Sequence, residues 1–223
     1  MGDASVLLLG ATGLVGGECL KLLVTRDDYR RIVVPVRSPL QDTPRDSRVE
    51  VHTIDFERIG DFASLFAVDH VISCLGTTIA KAGSRERFRR VDFHYTYETA
   101  RRAAGEGASH LLLVTAMGAD TSSRIFYNRV KGDLEEAVRG LPFRSVSIFR
   151  PSIILGDRRE SRAGESAGKV LAALFGFAIP SRYKPVAARD IARAMLAVAR
   201  ESPPGIRIVE SDAIRRIARN AIA

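Results

Sequence analysis

Seven short runs of this chain read as strands, most of them apolar with little alternation: SVLLLG (5–10), RIVVPVR (31–37), VEVHTID (49–55), HVISCLG (70–76), HLLLVTA (110–116), RSVSIFR (144–150) and GIRIVES (205–211). A strand with one wet face alternates polar and apolar residues, whereas a strand covered on both faces does not. Between the runs the apolar spacing becomes helical: LVGGECLKLLV, a short FERIGDFASLF, a long helix from about Ser84 to Ala104, and a helix carrying FYNRVKGDLEE (126–136). Strand–helix units repeated in this way specify an α/β fold, a doubly wound parallel sheet with helices on both faces, and the expected strand order is 3-2-1-4-5-6-7. After Arg150 the pattern loosens, because Gly156, Gly164, Gly168, Gly176 and Pro180 interrupt short helical pieces. The expectation is one domain over 1–223, in which 151–204 is a small irregular region forming a substrate-side lid.

With 223 residues, 46% hydrophobic and 27% charged, the chain can bury a sizeable core and is not a disordered polymer. No apolar run reaches the ~20 residues of a spanning helix; the longest candidate is VLAALFGFAIP (170–180). The N-terminus enters the first strand without a basic leader, so no signal peptide is expected. Cys19 and Cys74 sit in apolar surroundings without metal or redox spacing, so no metal site is expected and the compartment indicated is the cytoplasm. The net charge is +8, and 29 of the 34 basic residues are arginines spread along the chain. One cluster, SRERFRR (84–90), is dense, but no nucleic-acid motif accompanies it, so no nucleic-acid partner is expected. The run Asp157–Arg162 reads either as a solvated loop or as a segment that closes on a ligand.

GATGLVG (10–16) follows the first strand and opens the first helix. Glycines at 10, 13 and 16 permit a tight turn, close approach of backbone to a pyrophosphate, and close helix–strand packing. Gly10, Thr12, Gly13, Leu14 and Val15 then form the loop and helix start that would hold the phosphates, making the sheet Rossmann-type. A carboxylate at the end of the second strand would accept the ribose 2′-hydroxyl of NAD. Here Arg37 and Ser38 stand in that place, with no acidic residue between Tyr29 and Gln41. A guanidinium there suits the 2′-phosphate, and NADP(H) is the expected cofactor.

Tyr127 and Lys131 are four residues apart and share one helix face. A tyrosine is a poor acid near neutral pH, and an adjacent ammonium favours its phenolate, which makes the proton easier to transfer. The spacing alone also arises by chance. In one frame with the glycine loop, the pair resembles the short-chain dehydrogenase/reductases, and more narrowly the atypical members related to the Tat-interacting oxidoreductase-like proteins. The matching stretches are CLGTTIAKAGSRERFRRVD (74–92), GAD (118–120), FYNRVKGDLEEAV (126–138) and FRPSIILGDRRESRAGE (149–165).

The resemblance implies that Tyr127 exchanges a proton with a substrate oxygen while Lys131 holds the ribose hydroxyls and lowers the tyrosine pKa. It implies that Thr115 replaces the usual serine and orients a substrate carbonyl. Leu75, Gly76 and Thr77 would lie along the cofactor, Asp55 and Phe56 would flank its adenine, and Arg150, Pro151 and Ile153 would line the nicotinamide side. Asp92 stands where many family members have a relay asparagine, and a carboxylate donates no proton unless it is itself protonated. The function expected is an NADPH-dependent oxidoreductase acting on a carbonyl or hydroxyl of a small-molecule substrate. The alternative is an NADPH-binding regulatory or interaction module with little or no turnover. Substrate, direction and oligomeric state are left open.

Overall fold

The computed structural model describes residues 2–40, 42–156 and 180–221. Strands β1 (Ala4–Leu9), β2 (Tyr29–Val36), β3 (Val49–Thr53), β4 (His70–Ser73), β5 (His110–Val114), β6 (Ser145–Arg150) and β9 (Gly205–Glu210) form one sheet in the order β3-β2-β1-β4-β5-β6-β9. Every neighbouring pair in it is parallel. A second, two-stranded ribbon pairs β7 (Ile154–Leu155) with β8 (Val186–Ala187). The expected order is found, since β9 is the seventh strand of the main sheet.

The lack of alternation in the strands has a direct cause. Val6 and Leu8 point into a core shared with α1 (Leu14–Val24), α6 (Ala188–Glu201) and α7 (Ser211–Asn220). Leu7 and Leu9, on the other face, meet Ala100 and Ala103 of α4 (Thr96–Gly105) and Leu134 and Val138 of α5 (Phe126–Arg139). Alternate side chains enter opposite cores, and both cores are dry. At the β9 edge the rule lapses: Ile206 and Ile208 stay 45% and 40% exposed.

Helix and loop boundaries depart from expectation in one region. The segment expected as one helix from Ser84 is α3 (Arg85–Arg89), then a π-helical turn (Arg90–Tyr95), then α4. A short α2 (Ile79–Ala82) precedes it, capped by Thr78 and ended by Gly83 at φ 79°. A π turn inserts a residue into the helical ladder and rotates the residues beyond it, and here it brings Asp92 fully into the interior. The segment 56–65 is a 3-10 helix with non-helical backbone at Arg58 and Phe62. The charge run from Asp157 and nearly all of the apolar segment 170–180 lie outside the described residues, as does most of the expected lid.

Candidate active site

The glycine turn, Arg37, Asp55, Leu75 and Thr115 follow the carboxyl ends of β1, β2, β3, β4 and β5, the end at which such a sheet binds its ligand. Gly10 sits at φ 79°, and a Cβ there would lie 2.6 Å from the Cys74 carbonyl oxygen. A Cβ on Gly16 would lie 2.1 Å from the carbonyl oxygen of Gly10. The turn is therefore pressed between β4 and α1 so closely that these two positions admit only glycine. Gly13 is the N-cap of α1, with no side-chain hydrogen bond capping it. The amides at the start of α1, among them Leu14 and Val15, lack partners within the helix, and Thr12 beside them is exposed.

Beyond the loop, a cleft of about 920 Å³ is lined by Arg37, Glu57, Thr77, Arg87, Arg90 and Tyr95, among others. Glu57 organises its far wall: it accepts from Arg90 Nη1 at 3.1 Å and from the Tyr95 hydroxyl at 2.5 Å. Those bonds, the tyrosine's first, hold the Glu57 carboxyl below the usual range; burial, followed by this carboxylate, pushes Tyr95 up to about 12. Arg37 and Arg87 make no ion pair with any described residue, and Ser38 is exposed beside Arg37. Asp55 accepts from the Glu57 amide at 2.9 Å and so caps the 3-10 helix, while Phe56 is buried against the Tyr95 ring at 5.3 Å.

α5 brings the tyrosine and lysine to the same end of the sheet. Gly132 fixes its depth, because a Cβ there would lie 2.3 Å from the Asp120 carbonyl carbon. Tyr127 is half-buried, its ring centroid 5.5 Å from that of Phe88, and its hydroxyl has no hydrogen-bond partner among the described residues. Lys131 is buried, with Nζ 2.7 Å from Asp92 Oδ1. Burial opposes the ammonium, but Asp92, Tyr127 and Glu135 together outweigh it and raise the lysine above its ordinary value. The other Asp92 oxygen accepts from the Thr77 amide at 2.8 Å, and a Cβ on Gly76 would lie 3.2 Å from Asp92 Oδ1.

Thr115 is buried, and its hydroxyl donates to Glu135 Oε1 at 2.6 Å. A carboxylate is the strongest acceptor within its reach, so the side chain turns inward. Glu135 also accepts from Arg150 Nε at 3.0 Å and Nη2 at 2.5 Å, which commits the Arg150 guanidinium to the interior. Pro151 is buried and its carbonyl accepts from the Met117 amide, while Ile153 is 65% exposed. Leu75 follows β4 and is half-buried beside the glycine turn.

A parallel sheet with a crowded glycine turn between its first strand and first helix defines an NAD(P)-binding fold. Residues 10–139 match the family described as NAD(P)H-binding, and the chain belongs to it. It is 37% identical to Protein HTATIP2 of Rattus norvegicus over 167 residues, covering 74% of this chain and 69% of that one. It is 31% identical to "Protein FMP52, mitochondrial" of Candida albicans over 206 residues, 90% of each. Among solved structures, MoeE5 in complex with UDP-glucose and NAD superposes with a TM-score of 0.69 over 98% of this chain and 81% of that one at 12% identity. A UDP-N-acetylglucosamine 4-epimerase from Methanobrevibacter ruminantium gives 0.70 at 14%, over 94% and 77% of the two chains. These two share the fold. The expectation of a cytoplasmic protein, drawn from two unpaired cysteines, is overturned by the fungal relatives, which are named as mitochondrial proteins.

Sequence reasoning did not assign Glu135, Arg87 or the Glu57–Tyr95–Arg90 cluster. Arg87 had a signal, since it lies in the cluster at 84–90. That cluster divides in the fold: Arg89 pairs with Asp133 at 2.6 Å and Arg85 lies over the Phe126 ring at 5.3 Å, while Arg87 and Arg90 line the cleft.

Proposed function

We propose that this protein is an NADPH-dependent oxidoreductase acting on the carbonyl or hydroxyl group of a small molecule, with Tyr127 as the proton-transfer residue and Lys131 as its electrostatic partner. The observation that carries this reading is a half-buried tyrosine hydroxyl without a partner among the described residues, one helical turn from a buried ammonium. The residues present fit a dinucleotide: the turn at Gly10 and Gly16 leaves backbone uncovered where side chains would block it, and the cleft beside it holds Arg37 and Arg87. The bound nicotinamide would supply the hydride. Leu14 and Val15 amides would take the pyrophosphate, Thr77 would bound the ribose side, and Arg37 and Arg87 would meet the 2′-phosphate. Tyr127 would give a proton to the substrate oxygen, or take one from it, and Lys131 would stabilise the phenolate form. Thr115 would act at one remove, by holding Glu135.

A rival reading, an NADPH-binding module without turnover, draws on one observation: Lys131 and Thr115 are each satisfied within the protein, by Asp92 and Glu135. Calorimetric titration with NADPH followed by single-turnover oxidation against a panel of aldehydes and ketones separates the two. Tight binding with no oxidation across the panel would favour the module; no binding would sink both.

A further inference from the structure

Asp92 is fully buried on the π-helical turn, between two half-exposed neighbours, Val91 and Phe93. Its two carboxylate oxygens have different partners: Oδ2 accepts from the Thr77 amide at 2.8 Å, and Oδ1 forms an ion pair with Lys131 Nζ at 2.7 Å. A backbone amide and an ammonium can only donate. An asparagine in this place would offer one acceptor and one donor, so its NH2 would confront one of the two at hydrogen-bond distance. A carboxylate is the side chain that satisfies both. The aspartate is thus no defective version of a relay asparagine; its surroundings select it.

We propose that Asp92 is the positioning residue of this site: its carboxylate holds the Lys131 ammonium and the Thr77 amide in one arrangement, tying the tyrosine–lysine helix to the loop that would line the cofactor. The functional unit is then three residues, Tyr127, Lys131 and Asp92, drawn from two separate helical segments. This rests on the reading above that Lys131 serves the cofactor side of the site. The elements enclosing the lysine supply few other charges. Tyr127 and Glu135 lie one turn to either side on α5, and the end of β4 contributes only Gly76 and Thr77. Without Asp92, the ammonium keeps its burial and loses its direct counter-ion, and a buried charge in that state sheds its proton. Gly76 adjoins the pair: a Cβ there would lie 3.2 Å from Asp92 Oδ1 and 3.7 Å from Lys131 Nζ.

The test reads the lysine itself and needs no substrate. The chain has five lysines, so carbon-13 labelling of their side chains gives a spectrum in which Lys131→Arg identifies the one of interest. In the unmutated protein the Lys131 signal should stay protonated beyond the ordinary lysine range. In Asp92→Asn its midpoint should fall by at least about one pH unit, a tenfold shift in the protonation equilibrium. The proposal is overturned if the midpoint is the same in both proteins. It is equally overturned if Lys131 titrates at or below the free-lysine value in the unmutated protein, a measurement that stands even where Asp92→Asn fails to fold. NADPH titration of the unmutated protein keeps the two readings apart. A high lysine midpoint without NADPH binding defeats the cofactor assignment and leaves the Asp92 arrangement standing.

Discussion

At Tyr127 a single oxygen atom separates an oxidoreductase from a binding module. Tyr127→Phe removes that oxygen and almost no volume, and the hydroxyl has no partner among the described residues, so stability and NADPH affinity should stay unchanged. Turnover should fall by the ~10²–10⁴-fold typical of losing a general acid or base. Unchanged single-turnover rates in the phenylalanine variant would remove Tyr127 from the chemistry. Arg37 governs a different quantity. A charge-assisted contact to phosphate contributes about 1.5–3 kcal/mol, so Arg37→Ala should weaken NADPH about tenfold to a hundredfold and leave NADH alone. Arg87 lines the same cleft, so part of the preference should survive in Arg37→Ala and disappear when both are alanine. Equal affinities of the unmutated protein for the two cofactors, measured by calorimetry, would refute the 2′-phosphate assignment.

Among the elements, α5 is seated directly against backbone at Gly132. A methyl at Gly132 would be driven into the backbone of Asp120 and Thr121, which a flexible side chain cannot relieve. Gly132→Ala should therefore cost about 1–3 kcal/mol of stability by denaturant unfolding and shift Tyr127 and Lys131 together, lowering turnover as well. Gly140→Ala is the control, since its Cβ would meet nothing nearer than 3.7 Å and should be harmless. Equal stability of the two variants would show that α5 tolerates displacement. Elements of this kind differ in how far the sequence reveals them. The strands were legible because both faces are buried, which leaves a local mark on every residue of β1 and β5. The glycine turn was legible because backbone crowding excludes side chains at fixed spacing. The π turn was not, because nothing in the local sequence marks it, and the partner of its buried Asp92 is Lys131, 39 residues further along the chain. The Thr115–Glu135 bond was not legible either, because its partner lies 20 residues further on, one turn past Lys131 on α5.

Across the whole molecule, the parallel sheet assigns its two ends different tasks. Cofactor and proton chemistry would occupy the carboxyl ends, and the amino ends are left to hold the fold. Two histidines at the amino ends show what that involves. His70 and His110 begin β4 and β5, are paired in register, and their rings stand 5.5 Å apart. The Tyr29 hydroxyl lies 2.9 Å from His70 Nδ1, and His110 is held between Ser202 and Ser147 at 3.1 and 2.9 Å. Burial, followed by the charges of His70 and Arg144, pushes His110 down from 6.5 to about 4; burial also lowers His70, against the opposing pull of Asp69. The unfolded chain takes up a proton on His110 near pH 6.5 and the folded chain only near pH 4, so between these values the unfolded state binds more protons. Stability should therefore fall as the pH drops through that window, and it should be fully present above it. Carboxylates paired in the fold, such as Glu50 with Arg31 and Asp46 with Arg48, also lose their contribution on acidification, starting near their ordinary values of 4.5 and 3.8. That loss is common to a His110 variant and the unmutated protein. His110→Gln keeps polar groups within reach of both serines and removes the titration. Its unfolding free energy should decline less than that of the unmutated protein between pH 6.5 and 4, with NADPH affinity at neutral pH untouched because the site lies at the opposite end of the strands. Parallel stability curves for the two proteins across that window would show that the histidine pair plays no part in acid sensitivity.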